Sequence, residues 1–428
     1  MKYNVPIAEM IHLHREKINP QSIDEVVEHY SIPAWPSKMP EVVRSKSIQS
    51  SKFILPDEPT ILVSRLNPRK HKVWRIGNNE TGRKRLASTE WAVVMPYNNE
   101  DYDYISCILN TKLFHLQLEA YVTGTTGSHQ RVTPDDFMRL LMPILPEATR
   151  AQIGKLYRLL ETYQNELFQM ERQLEQLVEV IFTGWFVSFN HVKSNLISEG
   201  STETPNGIRH LYPSSLVTSE IGLIPRGWKI VELGDIISLD KGLSYKGKYL
   251  ANSELEGKPM LNLGCFGIDG SFRREKIKYY SGPFRERHVL KEGDLLIANT
   301  DMTQDRVILG ASIVVPKIYS GSLFTHHTYR AKAKKPSNDI LLPLINKLLT
   351  LFPFRYRAEG YSVGTTVLSM PAEAVLKHKI ALPPTELINR FANIYQMMIK
   401  YREQSIVVKK QFELIEHHLF PRIISSHP

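Results

Sequence analysis

Cysteine is nearly absent from this 428-residue sequence: Cys107 and Cys265 stand alone and far apart. That excludes a multi-cysteine zinc module and a disulfide scaffold, and it suits a reducing, cytoplasmic setting. No run approaches the roughly 18 apolar residues that a membrane-spanning helix needs. The opening stretch, MKYNVPIAEMIHLHREK, has no apolar core followed by a small-residue cleavage site, so no cleaved leader is expected. Acids are also in deficit, 44 against 54 Lys and Arg, for a formal charge of +10. What is present is ordinary for a globular chain: 42% hydrophobic and 23% charged residues exclude collagen-like and disordered classes. At about 150 residues per domain, two or three domains are expected.

The positive charge is unevenly placed. Between Ile61 and Arg85 lie Arg65, Arg69, Lys70, Lys72, Arg75, Arg83, Lys84 and Arg85 against a single acid, Glu80. Between Ser271 and Lys291 lie Arg273, Arg274, Lys276, Lys278, Arg285, Arg287 and Lys291 against Glu275 and Glu286. One such segment is ordinarily a solvated face. Two, at similar positions in two halves of a chain, suggest a polyanionic partner, because phosphate contacts draw on clustered cations.

The halves are a duplication. Tyr121-Val-Thr-Gly-Thr-Thr126 and Leu145-Pro-Glu147 are echoed by Tyr361-Ser-Val-Gly-Thr-Thr366 and Leu382-Pro-Pro384. A shift of 238 lays residues 152–182 on 390–420 without a gap, matching Tyr157 with Tyr395, Tyr163 with Tyr401, Gln173 with Gln411, Glu175 with Glu413 and Phe182 with Phe420. Within these segments apolar residues recur with spacings of three and four. The first series is Ile153, Leu156, Leu160, Tyr163, Leu167, Met170, Leu174, Leu177 and Ile181. The second is Phe391, Ile394, Met398, Tyr401, Ser405, Val408, Phe412, Ile415 and Leu419. A stripe sustained for four heptads predicts two long helices that pair as a coiled coil, each about 45 Å long for about 30 residues. The chain order permits parallel or antiparallel pairing; the antiparallel form, expected here, sends the two globular modules to opposite ends of a rigid spacer.

Five segments follow: a first module at 1–146, a first spacer helix at 147–190, a Pro/Ser/Gly-punctuated connector loop at 191–226, a second module at 227–383 and a second spacer helix at 384–428. Both modules alternate short β-branched runs, such as Thr60-Ile-Leu-Val-Ser64 and Asp294-Leu-Leu-Ile-Ala298, with helical segments. The fold class expected is α/β (α+β): two domains of mixed sheet and helices joined by a two-helix coiled coil.

Catalytic constellations are missing. There is no Asn-Pro-Pro-aromatic run of the amino-methyltransferases, no Walker A loop and no G-x-G-x-x-G cofactor loop. Glu256-Gly-Lys258 has the Glu-x-Lys spacing of nucleases, but Pro56-Asp57 and Pro134-Asp135, its candidate partners, lie in the other half. His326-His327 and His417-His418 have no carboxylate or cysteine at ligand spacing, so no metal site is expected.

Several stretches together resemble the specificity (S) subunit of type I restriction–modification enzymes. They are Phe182-Thr-Gly-Trp-Phe-Val-Ser-Phe-Asn190, Leu211-Tyr-Pro213 leading to Ser219-Glu-Ile-Gly-Leu-Ile-Pro-Arg-Gly-Trp228, Leu233-Gly-Asp-Ile236 with Lys241-Gly-Leu-Ser-Tyr245, His29-Tyr-Ser-Ile-Pro33, and Leu62-Val-Ser-Arg-Leu-Asn-Pro68. The two Gly-Thr-Thr loops ahead of Leu-Pro turns fit the same family. The chain departs from it where Thr149-Arg-Ala-Gln152 and Leu387-Ile-Asn389 replace the family's frequent Glu-Gln.

The resemblance implies two target recognition domains, each reading one half of a split, asymmetric DNA site, and a helical pair that sets the unread gap. It implies docking to two modification (methyltransferase) subunits that use S-adenosylmethionine, and to restriction subunits that use ATP and magnesium, in bacterial host defence. This chain would bind no cofactor and catalyse no step. A structural coiled-coil adaptor and a standalone DNA-modifying enzyme are the alternative readings. The DNA-contact candidates are Arg65, Arg69, Lys70, Lys72, His129, Gln130 and Arg131 in the first module, and Ser244, Tyr245, Lys246, Arg273, Arg274, Lys276 and Lys278 in the second. Arginine and glutamine there have the bidentate geometry that base edges accept.

Overall fold

The computed structural model describes residues 4–69, 71–121, 130–197, 207–267, 272–302, 306–364, 368–415 and 422. The chain divides into two compact units, residues 1–168 with 407–428, and residues 169–406. Each unit therefore takes part of both long helices, instead of leaving them as separate segments.

In the first unit the β-branched runs become a four-stranded antiparallel sheet of β1 (Ile11–His14), β2 (Thr60–Ser64), β3 (Val73–Ile76) and β4 (Trp91–Pro96), in the order β1-β4-β2-β3. Strand side chains alternate between faces, and here both faces are covered. Ile61, Val63, Val73 and Val94 pack against the helices Tyr102–Asn110 and Lys112–Ala120. Leu62, Trp74, Trp91 and Val93 pack against Tyr30, Phe53 and Ala87 of a second, five-stranded sheet. That is why Thr60–Ser64 reads as an unbroken apolar run and not as an alternating one.

The first long helix, α1 (Glu147–Phe182), joins this core through Ile153 and Tyr157. Gly154 permits the approach: a Cβ there would sit 2.9 Å from the Asp103 side chain and the Tyr104 amide. Arg75 on β3 then clamps the helix by pairing with both Asp103 and Glu161, its guanidinium 4.8 Å from the Tyr102 ring and 5.7 Å from that of Tyr157.

The second unit repeats the plan. Strands β5 (Ile237–Lys241), β6 (Leu295–Ala298), β7 (Ser312–Val314) and β8 (Thr328–Ala333) run antiparallel in the order β5-β8-β6-β7, the same as in the first unit. A second sheet of four strands accompanies it. The Phe182–Asn190 stretch builds an aromatic core with the second long helix, α2 (Thr385–Leu414). Phe391 meets Phe182 at 6.0 Å and Phe186 at 5.2 Å, and Trp228 meets Phe189 at 5.6 Å between ring centres. The connector at 191–226 is more than a loop: it contains a hairpin of Leu216–Ser219 with Gly222–Pro225.

The long helices pair antiparallel within each unit. In the first, Tyr163 packs edge-on against Phe412 and the Lys409 ammonium lies 5.8 Å from the Phe168 ring. In the second, Arg402 pairs with Glu171 and Glu175 while Phe391 meets Phe182. In α1 the seam is shifted towards one side of the apolar stripe. Ile153, Leu160, Leu167, Leu174 and Ile181 face inward and Tyr157, Gln164, Glu171 and Val178 alternate with them, while Leu156, Met170 and Leu177 are exposed and Tyr163 lies half exposed at the edge against Phe412. In α2 Phe391, Tyr395, Met398, Ser405 and Phe412 are buried, while Ile394, Tyr401, Arg402, Val408 and Lys409 are all half-buried, Ile394 against the second unit's core. Ile415 packs against the first unit's core, and Leu419 lies outside the described residues. Val178 is 1% exposed and its neighbour Leu177 51%.

This register predicts a contrast between neighbouring positions. Phe182→Ala should destabilise the second unit by about 3–5 kcal/mol, and Leu177→Ala by no more than about 0.5 kcal/mol. The urea midpoint of each purified variant reads the difference; equal losses would place the seam on the apolar stripe after all.

Candidate nucleic-acid interface

Charge that is dense in the sequence is not dense on the surface. Of the basic residues between Ile61 and Arg85, Arg75 is occupied by its two carboxylates, and Arg85 is 2% exposed and donates to the carbonyls of Pro56, Gly77 and Glu58. Arg65 is half-buried and donates to the Thr89 carbonyl at 2.7 Å and that of Val132 at 3.2 Å. Lys84 pairs with Glu25. Arg69 and Arg83 are exposed, Lys72 is half-buried, and Lys70 and His129 lie outside the described residues.

The strand order gathers a different set of residues at one end of the first sheet. The β1 strand ends just before Arg15, β2 ends just before Arg65, β3 begins after Lys72, and β4 begins after Glu90. Onto this end the chain returns from its Gly-Thr-Thr loop. Asn67 N–H donates to the Gln130 carbonyl, Val132 N–H to that of Arg65, and Arg65 N–H to that of Glu90. The result is a cleft of about 530 Å³ lined by Arg15, Lys17, Arg65, Glu90, Arg131 and Trp91, among others. Arg131 reaches the Glu90 carboxylate at 2.7 Å. Burial holds the Arg65 guanidinium below its ordinary range; Glu90 opposes the shift, and Arg131 and Arg15 add to it. Arg131 thus pairs with the Glu90 carboxylate in a cleft that Arg65 and Arg15 also line, while Arg15 itself reaches Asp135 at 3.8 Å.

The corresponding end of the second sheet uses the same backbone. Asn299 N–H donates to the His327 carbonyl, and Met370 N–H to that of Asn299. Pairing registers make Arg65 and Asn299 equivalent, as are Glu90 and His327, Arg131 and Ser369, and Arg15 and Lys241. The side chains differ at every one of these places. The loop after β5 is pressed onto the next segment at Gly242, where a Cβ would lie 2.2 Å from the Thr325 carbonyl. That packing presents Ser244, Tyr245 and Lys246, of which Ser244 and Lys246 are exposed. The Lys278 ammonium lies 3.3 Å from the Tyr245 hydroxyl, and the Tyr245 ring lies 6.3 Å from that of His326. His326 and His327 stack at 3.9 Å. Burial lowers the His327 pKa, helped by His326, Lys241 and Lys278. Arg273 and Lys276 are exposed on the turn before Lys278, and Arg274 is half-buried.

Of the sequence candidates, Arg65 and Arg131 line the first cleft and Tyr245 and Lys278 lie together in the second unit, whereas sequence reasoning does not single out Arg15, Lys17, Glu90, Lys241 or the histidine pair. The signal that finds them is positional: each lies at the boundary of an apolar strand run, scattered along the chain and collected by topology. Among the described residues no group of three or more His, Cys, Asp or Glu is arranged to hold a metal ion. His417-His418 lies outside them. Among the described residues no helix is long and apolar enough to cross a membrane.

No family model matches the chain. It is 23% identical over 408 residues to the type I restriction enzyme MjaVIII specificity subunit of Methanocaldococcus jannaschii, covering 91% of this chain and 85% of that protein. Its fold matches the type I restriction–modification S subunit of M. genitalium with a TM-score of 0.54 at 10% identity, over 96% of this chain and 94% of that one. An HsdS subunit from Thermoanaerobacter tengcongensis aligns over 99% of this chain and 97% of its own at 15% identity, with a TM-score of 0.34. Along nearly its whole length the chain is similar in sequence to a type I restriction enzyme specificity subunit, and it has the fold of an S subunit of that class.

Proposed function

We propose that this chain is the DNA-recognition subunit of a type I restriction–modification complex, reads a two-part asymmetric site and leaves methylation and cleavage to its partners. The observation that carries the reading is the repeated sheet end: one backbone frame occurs twice, and the side chains it holds differ between the copies, Glu90 against His327 and Arg131 against Ser369 among them. A frame that fixes geometry while the side chains vary is what reading two different half-sites requires, since backbone contacts position and base contacts specify. Cations in each unit supply the sequence-independent part of the affinity.

The paired helices set the unread gap between half-sites. They also offer partners an apolar surface. In the first unit Leu156 and Leu159 of α1 are exposed, and in the second Leu177 and Val180 are. These residues have the heptad spacing of a seam but face outward, which suits helices of two modification subunits; restriction subunits would join through these. The S-adenosylmethionine, ATP and magnesium of the reaction belong to the partners.

Two measurements test this. Adding one heptad to α1 and the matching heptad to α2 should widen the gap in the DNA site selected by the assembled complex, and an unchanged gap would sink the spacer role. In salt titrations of duplex binding, Lys278→Ala should reduce the slope of log affinity against log salt by about one. Arg75→Met should leave that slope alone and lower the unfolding midpoint, because its charge is already neutralised inside the first unit.

A further inference from the structure

We infer that the imidazole of His327 reads a base as an acceptor: its Nε2 takes a hydrogen bond from the exocyclic amino group of a cytosine or an adenine in the major groove. The assignment rests on the DNA-recognition role proposed above. His327 stands at the second unit's sheet end, where the bond from Asn299 N–H to its carbonyl repeats the bond from Arg65 N–H to the Glu90 carbonyl in the first unit. The place that holds a carboxylate in one copy thus holds an imidazole in the other. A carboxylate only accepts hydrogen bonds, whereas a neutral imidazole accepts at one nitrogen and donates at the other. Which nitrogen does which decides what the ring can read.

Three hydrogen bonds settle the tautomer. Asn299 Nδ2 donates to the His326 carbonyl at 3.1 Å, and this fixes the amide, since the reverse orientation would set two carbonyl oxygens against each other. Asn299 Oδ1 therefore faces Thr300, whose hydroxyl donates to it at 2.7 Å. That hydroxyl has one hydrogen, so towards His327 Thr300 Oγ1 can only accept, and His327 Nδ1–H donates to it across 3.3 Å. The hydrogen is on Nδ1 and the lone pair on Nε2. Asn299 and Thr300 are 3% and 5% exposed, so water does not compete with these bonds. The His327 ring itself is half-buried; its Nε2 has no hydrogen-bond partner among the described residues and, unlike His326 Nδ1, is not enclosed.

The surroundings keep the ring neutral. Burial first, then His326, Lys241 and Lys278, hold the His327 pKa below its ordinary value, so at neutral pH Nε2 keeps its lone pair. Lys241 and Lys278 are exposed, and their ammonium groups only donate. His327 thus adds an acceptor to a surface of donors. In the major groove the donors are cytosine N4 and adenine N6, whereas guanine O6 and thymine O4 are acceptors and would oppose the lone pair.

The test starts from selection of bound duplexes from a randomised pool by the assembled complex. His327→Ala should lose the preference at one base pair of one half and keep the other half. Affinity is then measured on the selected duplex with the exocyclic amino group of that pair removed, purine replacing adenine or 2-pyrimidinone replacing cytosine. The wild type should bind that duplex about fivefold or more weakly, and His327→Ala should bind the two duplexes alike. His327→Lys, which puts a donor in place of the acceptor, should favour the pair turned round, with its keto group where the amino group stood; lost packing alone does not produce such a reversal. Thr300→Val, which frees the tautomer and leaves the ring, should lower the preference by a smaller factor. An even loss of affinity across all sequences in the His327 variants would overturn the assignment and leave the recognition role standing. So would an unchanged preference in His327→Ala with a wild-type unfolding midpoint, or the same loss on amino removal with and without His327. A wild-type complex that enriches no two-part motif would overturn both.

Discussion

Arg402 sits in the helix seam with its side chain 16% exposed, pairing with Glu171 and Glu175 from the facing helix. Two helices with a heptad repeat can slide past one another by a heptad and recover most of their apolar contacts. A charge in the seam removes that freedom, because a slipped register leaves a guanidinium and two carboxylates desolvated without their partners, at a cost of several kcal/mol. Lys409 over the Phe168 ring makes a comparable demand in the first unit. Each unit's core contains residues from near one end of α1 and near the opposite end of α2, so the register of the seam decides which residues complete each core. Ile415 can reach the first core, and Phe391 the second, only in this alignment.

The same polar seam explains how far the sequence could be read. The existence, length and pairing of the helices follow from three-four periodicity. Their phase does not, because Gln164, Glu171, Arg402 and Lys409 look like surface residues and Leu156, Tyr163, Met170 and Leu177 look like core. Hydrophobicity marks what avoids water in the working protein, not only what this chain buries by itself. An apolar stripe that faces outward carries the same signature as an inward one. The duplication and the mixed sheets are legible for a simpler reason: strands buried on both faces leave continuous apolar runs.

The first basic segment is only in part a surface, for the opposite reason. Charge per residue of sequence ignores where side chains point. Arg65, Arg75 and Arg85 lie within 21 positions of one another, and each is turned inward to carbonyls or carboxylates. Burying an arginine costs less when its planar fork meets several acceptors, so such residues serve as internal ties between segments far apart in the chain. The charged residues that line one cleft, Arg15, Lys17, Arg65, Glu90 and Arg131, are spread over more than a hundred positions. Only the strand order brings them together.

Duplication adds a constraint that neither half shows separately. The amide-to-carbonyl bonds that fasten each returning segment to its sheet recur in both units, as Val132 to Arg65 and as Met370 to Asn299, with an arginine in one copy where the other has an asparagine. Backbone hydrogen bonds do not depend on side-chain identity, so this frame tolerates almost any residue that faces solvent at the sheet end. The frame does restrict what lies beneath it: Ser64 and Ala298, which end β2 and β6, are both small and buried. Variation is therefore cheap at the surface and expensive one residue below it. A module built this way can change its surface side chains without refolding, and two copies in one chain are free to diverge.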